Sequence, residues 1–410
     1  MTADKIRIII LPKPLSEPIT GGEIYNKRLF EFLNQRYASV YGLRERAKNS
    51  RTQTPLQYLV FALSCFMVNI KYVLQFTKLV RDNQKTILIE DLYNIADFFI
   101  FNAFVRLSPK HVQIVPLIHH LMFPQYHGLV SKFTYILEKQ AVANSNLIIV
   151  TSEETKMEVS CLHNAKKNII VATPGLDFPA NEDTAINGLE KSHVDIVSVG
   201  TITRRKDYET LLRSISELKT RKLNQPFRVT IVGDKYKEED YALEMEEAAD
   251  TMQISDIVKF VGRVDNKELC SILERSDIYV CTSTHEGFGM AIAEAMRFQL
   301  PIVASNAGAI PLLVHDGVNG LLFRPKDPSN LSEKLSILLK SNITRAQMGR
   351  NGYALSLSFD WNKSFEKIER ALNNLVMKKF DSSINNDNLR SRKSNIISYL
   401  TFISHARRIK

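Results

Sequence analysis

The chain has 410 residues, 44% of them hydrophobic and 24% charged. That is too long for one ordinary core, and the composition is neither that of a disordered chain nor of one that spans a membrane throughout. The formal net charge of +10 is uneven: residues 1–150 carry a surplus of eight positive charges, residues 151–380 a deficit of two, and residues 381–410 a surplus of four. Such asymmetry suggests that one face meets something anionic. Four cysteines (Cys65, Cys161, Cys270, Cys281) stand without metal-ligand spacing, which argues against a disulfide framework or a zinc site and favours a reducing compartment.

In chain order, Ile6–Leu11 reads as a first buried strand rather than a secretory leader, because Lys5 and Arg7 interrupt its apolar run. Gly21 and Gly22 lie between it and a helix containing Tyr25, Leu29 and Leu33; glycines there allow a phosphate or sugar to approach a helix N-terminus. The apolar helix Leu56–Leu79 follows the basic residues Arg44, Arg46, Lys48 and Arg51. Its strongest stretch is roughly half of a bilayer span, so it reads as a core or interfacial helix. Further strands are expected at Thr86–Glu90, Val112–Ile118 and Leu147–Thr151, then at Asp195–Gly200, Arg228–Gly233, Val258–Val261, Ile278–Cys281 and Ile302–Ser305. Buried strands alternating with amphipathic helices imply parallel sheets. The alternation breaks at Pro174, Gly175, Pro179 and the polar run Asn181–Ser192, which reads as a linker. The expected domains are therefore 1–180 and 194–355. A helix over 356–380 would cross back to the first domain, and a basic tail over 381–410 carries Ile396, Leu400 and Ile403 at helical spacing beside Arg407, Arg408 and Lys410.

The most informative segment runs from Ser283 to Met296. Gly287 and Gly289 let a backbone approach a ligand closely, and the helix beyond them offers unpaired N–H groups to an anion. Glu286 in the loop and Glu294 on the helix could grip hydroxyls at the two ends of an elongated polyol, with phosphates between them. Arg205 and Lys206 follow a strand end, where cations can offset the charge of a diphosphate. His119 and His120 end another strand, at the edge where open α/β sheets bind ligands.

These residues carry a resemblance. Glu286 and Glu294, with Gly287-Phe288-Gly289 between them, resemble the E-x7-E signature of retaining glycosyltransferases of family 4. Val199 to Asp207, Ile231-Val232-Gly233, Phe260 to Val264, Ser305 to Pro311 and Asp316 to Phe323 are similar to further parts of that family. The first half of the chain matches more loosely. The resemblance implies a GT-B fold, an α/β architecture of two Rossmann-like doubly wound domains facing a central cleft. It implies a nucleoside-diphosphate-sugar donor, UDP- or GDP-linked, and a hydroxyl acceptor in cell-surface polysaccharide, lipopolysaccharide or glycolipid synthesis. By resemblance Glu286 takes the sugar hydroxyls and Glu294 the ribose, while Arg205 and Lys206 take the diphosphate. His119 would organise the donor sugar; Gly21, Gly22, Gly200, Gly233, Val264, Gly287, Phe288, Gly289 and Met290 would line the donor. The family often has Arg where Thr201 stands, Gly where Asp207 stands, and Glu where Leu312 stands.

No Asp-x-Asp motif or His/Cys cluster points to a metal, so metal-independent transfer without a cofactor is expected. An epimerase or phosphorylase on the same fold, or a non-catalytic sugar-nucleotide-binding subunit, are the alternatives; the paired glutamates argue against the first and the intact basic pair against the second. Nucleic acid is not an expected partner, since no binding motif accompanies the charge. The expected place of work is the cytoplasm, with peripheral contact to an anionic membrane surface.

Overall fold

The structure, a computed structural model, describes residues 6–11, 20–42, 67, 69–80, 84–92, 112–121, 128–143, 145–163, 168–178, 192–221 and 225–380. The basic residues 44–51, the first part of the apolar helix, most of the 181–192 linker and the 381–410 tail lie outside them. The chain forms two compact units. The first comprises Met1–Val150, Lys156–Ala172 and Phe365–Lys410, and the second Thr151–Thr155 and Thr173–Ser364.

The first unit holds a six-stranded sheet in the order β2-β1-β3-β4-β5-β6, all pairs parallel. The strands are β1 (Ile6–Leu11), β2 (Ser39–Gly42), β3 (Lys85–Asp91), β4 (Val112–Ile118), β5 (Leu147–Val150) and β6 (Asn168–Val171). One face, carrying Ile9, Leu11 and Leu88, packs on Tyr72, Phe76 and Val80, which lie in or just beyond the helical residues 69–79. The helix Gly21–Arg36 starts with a capping box between Thr20 and Glu23. Phe365 meets its Tyr25 edge-on at 5.4 Å and Phe32 at 5.4 Å. Arg36 pairs with Glu369 at 3.2 Å, so the later part of the helix Trp361–Phe380 is anchored on this unit by rings and charge.

The second unit holds β7 (Val194–Val199), β8 (Phe227–Val232), β9 (Val258–Gly262), β10 (Ile278–Cys281), β11 (Ile302–Ser305) and β12 (Gly320–Phe323). They are arranged β12-β11-β10-β7-β8-β9, again wholly parallel. Alternate strand residues enter two separate cores. Ile196, Val229, Ile231, Ile278, Val280 and Val303 join the helices Tyr208–Thr220, Glu239–Thr251 and Pro328–Lys340 on one face. Val197, Val232, Tyr279, Cys281, Ile302 and Ala304 join Asn266–Arg275 and Met290–Arg297 on the other. The period-two alternation of strand side chains is thus apolar on both faces, which is what a doubly wound sheet requires.

Three strands escape a reading based on long apolar runs. β2 and β6 are four-residue edge strands with largely half-buried side chains, and β12 is the four-residue edge of the second sheet.

Candidate functional site

In the second unit, chain order reverses between β7 and β10: β8 and β9 extend to one side, β11 and β12 to the other. Loops leaving the carboxyl ends of two strands at such a reversal turn away from each other and open a crevice. The loops that do so here are Gly200–Lys206 and Thr282–Gly289, the two segments singled out in the sequence. They are stitched together by a backbone and a side-chain hydrogen bond, both accepted by main-chain carbonyls of the first loop. Thr284 N–H donates to Arg205 O at 2.9 Å, and Thr282 Oγ1 donates to Lys206 O at 2.7 Å.

At the junction three donors converge on one oxygen. Glu286 Oε1 accepts from Lys206 Nζ at 2.7 Å and from Ser283 Oγ at 2.7 Å, and Arg205 Nη1 lies 3.2 Å away. Burial alone would raise the Glu286 carboxyl. The charges of Lys206 and Arg205, with the hydrogen bonds from Lys206 and Ser283, outweigh it and hold the group well below the usual carboxylate range. Arg205 also donates to the carbonyl of His285. His285 is a loop residue whose imidazole is pushed down by burial and by Arg205.

The basic turn Arg204–Lys206 is a single 3-10 turn closed by Asp207 in the left-handed region at φ 52°. This gives a physical reason for glycine to be common there, and Asp is among the few side chains that tolerate the conformation. Beneath the turn, Tyr208 donates to Gly200 O at 2.8 Å. Gly233 sits so close that a Cβ would fall 1.9 Å from that same oxygen.

Gly289, at φ 94°, is the N-cap of the helix Met290–Arg297. The first amides of that helix lack intrahelical acceptors and carry the positive end of its dipole. Phe288 is turned into the core, 8% exposed and edge-on to Phe359 at 5.4 Å, which leaves its backbone rather than its ring for a ligand. Glu294 is half-buried on the same helix. Burial, then the nearby Asp177, push its carboxyl up to about 7 against the opposing pull of Lys206. Asp177 is itself held by Trp361 Nε1 at 2.9 Å. Val264 packs at the margin of the second core.

The first unit gathers the other candidates. His119 follows β4, and a Cβ on Gly22 would stand 3.3 Å from its Cδ2. Gly21 is the first residue of the helix Gly21–Arg36. Burial pushes the His119 imidazole down, partly countered by Asp91. Three residues that the sequence did not flag, Asp177, Asn26 and Asp91, complete these clusters, with Ser283, which opens the flagged segment but had no role assigned to it. Among the described residues no group of three His, Cys, Asp or Glu side chains is gathered as a metal would need.

Two doubly wound Rossmann-like units define the two-domain GT-B class of fold. Sucrose-phosphate synthase from Thermosynechococcus elongatus matches 91% of this chain and 99% of its own with a TM-score of 0.74 at 19% identity. Anabaena HepE, solved in complex with UDP and glucose, matches 90% and 99% with a TM-score of 0.65 at 17% identity. In sequence, residues 180–355 match the family described as glycosyl transferases group 1. A D-inositol 3-phosphate glycosyltransferase of Corynebacterium diphtheriae is 26% identical over 252 residues, 59% of each chain. An uncharacterized glycosyltransferase of Methanocaldococcus jannaschii is 28% identical over 239 residues, 58% of this chain and 62% of its own. The matched stretch spans about three-fifths of those relatives' length. Over most of its length the chain has the GT-B fold, and its residues 180–355 are similar in sequence to the glycosyl transferases group 1 family.

Proposed function

We propose that the protein is a retaining, family 4-like glycosyltransferase. It would move a hexosyl group from a UDP- or GDP-linked sugar to a hydroxyl acceptor in cell-surface polysaccharide, lipopolysaccharide or glycolipid synthesis. The observation that carries this reading is the convergence of Arg205 and Lys206 on Glu286 at the switch point of the second sheet. Two cations and one carboxylate leave a net positive charge beside the N-terminus of Met290–Arg297, which suits a diphosphate. Glu286 satisfies both cations in the structure, so a diphosphate competes with it, and the displaced carboxylate turns to the sugar hydroxyls. Glu294 accepts from the ribose hydroxyls, and the amides around Phe288, Gly289 and Met290 hold the sugar or the diphosphate. His119 orients the donor sugar.

As the glycosidic bond breaks, charge grows on the leaving diphosphate. Arg205, Lys206 and the helix dipole stabilise it where a metal would otherwise serve, and such preorganised groups lower a barrier by about 3–4 kcal/mol each in favourable cases. The leaving phosphate takes the acceptor proton on the face from which it departs, so retention needs no separate general base. The UDP and UDP-glucose complexes of Anabaena HepE support a uridine donor by analogy of fold.

The test is slow hydrolysis of UDP-glucose and GDP-mannose followed by proton NMR. An α-anomer appearing first supports retention. A β-anomer first, or no nucleoside diphosphate released from either donor, contradicts it.

Peripheral membrane contact forms part of the proposal. The helical residues 69–79 bury Tyr72 and Phe76 and expose Ile70, Leu74, Lys71 and Lys78, with Met67 exposed just before them. Apolar side chains flanked by lysines suit an anionic lipid surface. Among the described residues no helix is long and apolar enough to cross a membrane.

A further inference from the structure

Three elements of the first unit bring together side chains that no local pattern links. Asn26, 4% exposed, lies on the helix Gly21–Arg36, and Asp91, 5% exposed, ends β3. His119 follows β4, the strand next to β3. Asn26 Nδ2 donates to Asp91 Oδ2 at 2.8 Å, and His119 Nε2 lies 3.2 Å from Asn26 Oδ1. The polarity of this chain follows from what each group can do. A carboxylate oxygen accepts, so the amide nitrogen must face Asp91 and the amide oxygen must face His119. An amide oxygen accepts too, so the proton between them belongs to Nε2. In a neutral imidazole that leaves Nδ1 as the accepting nitrogen. The ring also meets Tyr25 edge-on at 5.3 Å and 81°, and it lies close enough to Gly22 that a Cβ there would stand 3.3 Å from its Cδ2.

We propose that Asn26 and Asp91 are positioning residues that hold His119 as its Nε2–H tautomer, so that Nδ1 accepts from a hydroxyl of the donor sugar. The arrangement parallels the carboxylate partners that set the tautomer of metal-binding and catalytic histidines, with an amide inserted between acid and ring. Burial of the imidazole, which disfavours its charged form, fits a neutral acceptor. The second half of the proposal rests on the reading of His119 as a donor-sugar contact; the first half does not.

The experiment uses the full chain labelled with 15N-histidine. Long-range 1H–15N spectra report the tautomer of each ring, and His119→Gln assigns the His119 signals. The wild type should show a protonated Nε2 and an unprotonated Nδ1. Asn26→Ala should lose that single pattern. The exchange Asn26→Asp/Asp91→Asn should restore it, because Asn at 91 then donates to Asp at 26, whose other oxygen still accepts from Nε2. UDP-glucose hydrolysis gives the second readout: kcat should fall about tenfold in Asn26→Ala and recover in the exchange variant, while UDP itself binds equally to all three. A protonated Nδ1 in the wild type, or an unaltered Nε2–H pattern in Asn26→Ala, overturns the positioning role. A restored tautomer without restored kcat overturns the sugar contact alone. Where Asn26→Ala does not fold, the wild type and the exchange variant decide the matter. Absence of all hydrolysis in the wild type defeats the transferase reading and leaves the tautomer result standing.

Discussion

Replacing Glu286 by Gln keeps an acceptor oxygen within reach of Lys206 and Ser283 and removes only the charge. In the folded protein that charge meets Lys206 at 2.7 Å and Arg205 at 3.2 Å, with the Glu286 and Lys206 side chains 12% and 15% exposed. Charge-assisted hydrogen bonds contribute about 1.5–3 kcal/mol against about 0.5–1.5 kcal/mol for neutral ones. With the Arg205 contact more exposed, the expected loss is about 2 kcal/mol. For a unit of this size that lowers the melting temperature by about 4–8 °C. The wild-type advantage is present above the ordinary carboxylate pKa of about 4.3 and is lost only as pH falls through the depressed folded value, so it persists in mild acid. Ligand binding should move the other way. With its competitor uncharged, the Arg205–Lys206 pair should bind UDP as well as before or up to about tenfold more tightly, the equivalent of about 1.4 kcal/mol. UDP-glucose should lose any advantage over UDP, and turnover should fall at least about a hundredfold. Calorimetry with UDP and UDP-glucose, alongside a melting curve, reads all of this. Weakening of UDP itself by tenfold or more would refute the division of labour, because Glu286 would then belong to the diphosphate site.

Glu294 predicts a pH dependence of opposite sign to that of Glu286. Its raised folded pKa contributes stability below the unfolded value of about 4.3, and that contribution is lost as pH rises through about 7. Glu294→Gln should therefore be more stable than wild type at pH 8 by about 1–2 kcal/mol after discounting for solvent, and UDP affinity should rise through pH 7 only in the wild type. Gly233→Ala should unfold or strongly destabilise the second unit, since its Cβ would fall 1.9 Å from Gly200 O; Gly200→Ala, whose Cβ would press on Lys206 Cε at 2.9 Å, should keep the fold and weaken UDP binding. Denaturation curves and UDP titrations separate the two, and equal stability losses would contradict the distinction. Cosedimentation with phosphatidylserine vesicles should fall with salt and be reduced by Ile70→Ser/Leu74→Ser or by deletion of residues 381–410. Absence of binding at low ionic strength returns the charge to a solvated surface.

Much of the fold is legible in the sequence because its central strands are buried on both faces. β1, β4, β10 and β11 coincide with apolar runs down to their end residues. β2 and β6 do not stand out, because an edge strand of four half-exposed residues leaves neither a long run nor a strict alternation. At the site, the glycine-flanked loop and its two glutamates announce themselves by spacing along one strand–loop–helix unit. The pairing of Glu286 with Arg205 and Lys206 does not, since Lys206 lies 80 positions from Glu286, with Arg205 one further, and they meet only because β7 and β10 are neighbours. Asn26 and Asp91 show the same limit more sharply: 65 residues separate them, and neither residue type is unusual where it stands. The left-handed Asp207 is a further instance, for nothing local to Arg204–Asp207 reveals that the basic turn must reverse there.

Nucleoside-diphosphate binding by Arg205 and Lys206 underlies every step of the proposed transfer. Isothermal titration of UDP and GDP into wild type and into Lys206→Ala, both confirmed folded by their melting curves, measures it. Binding of one nucleotide that weakens at least about tenfold in the variant is the predicted result, in line with the loss of about 1.5–3 kcal/mol for a charged hydrogen bond. No binding of either nucleotide at millimolar concentration, or equal affinity in the two proteins, would contradict the assignment of this site.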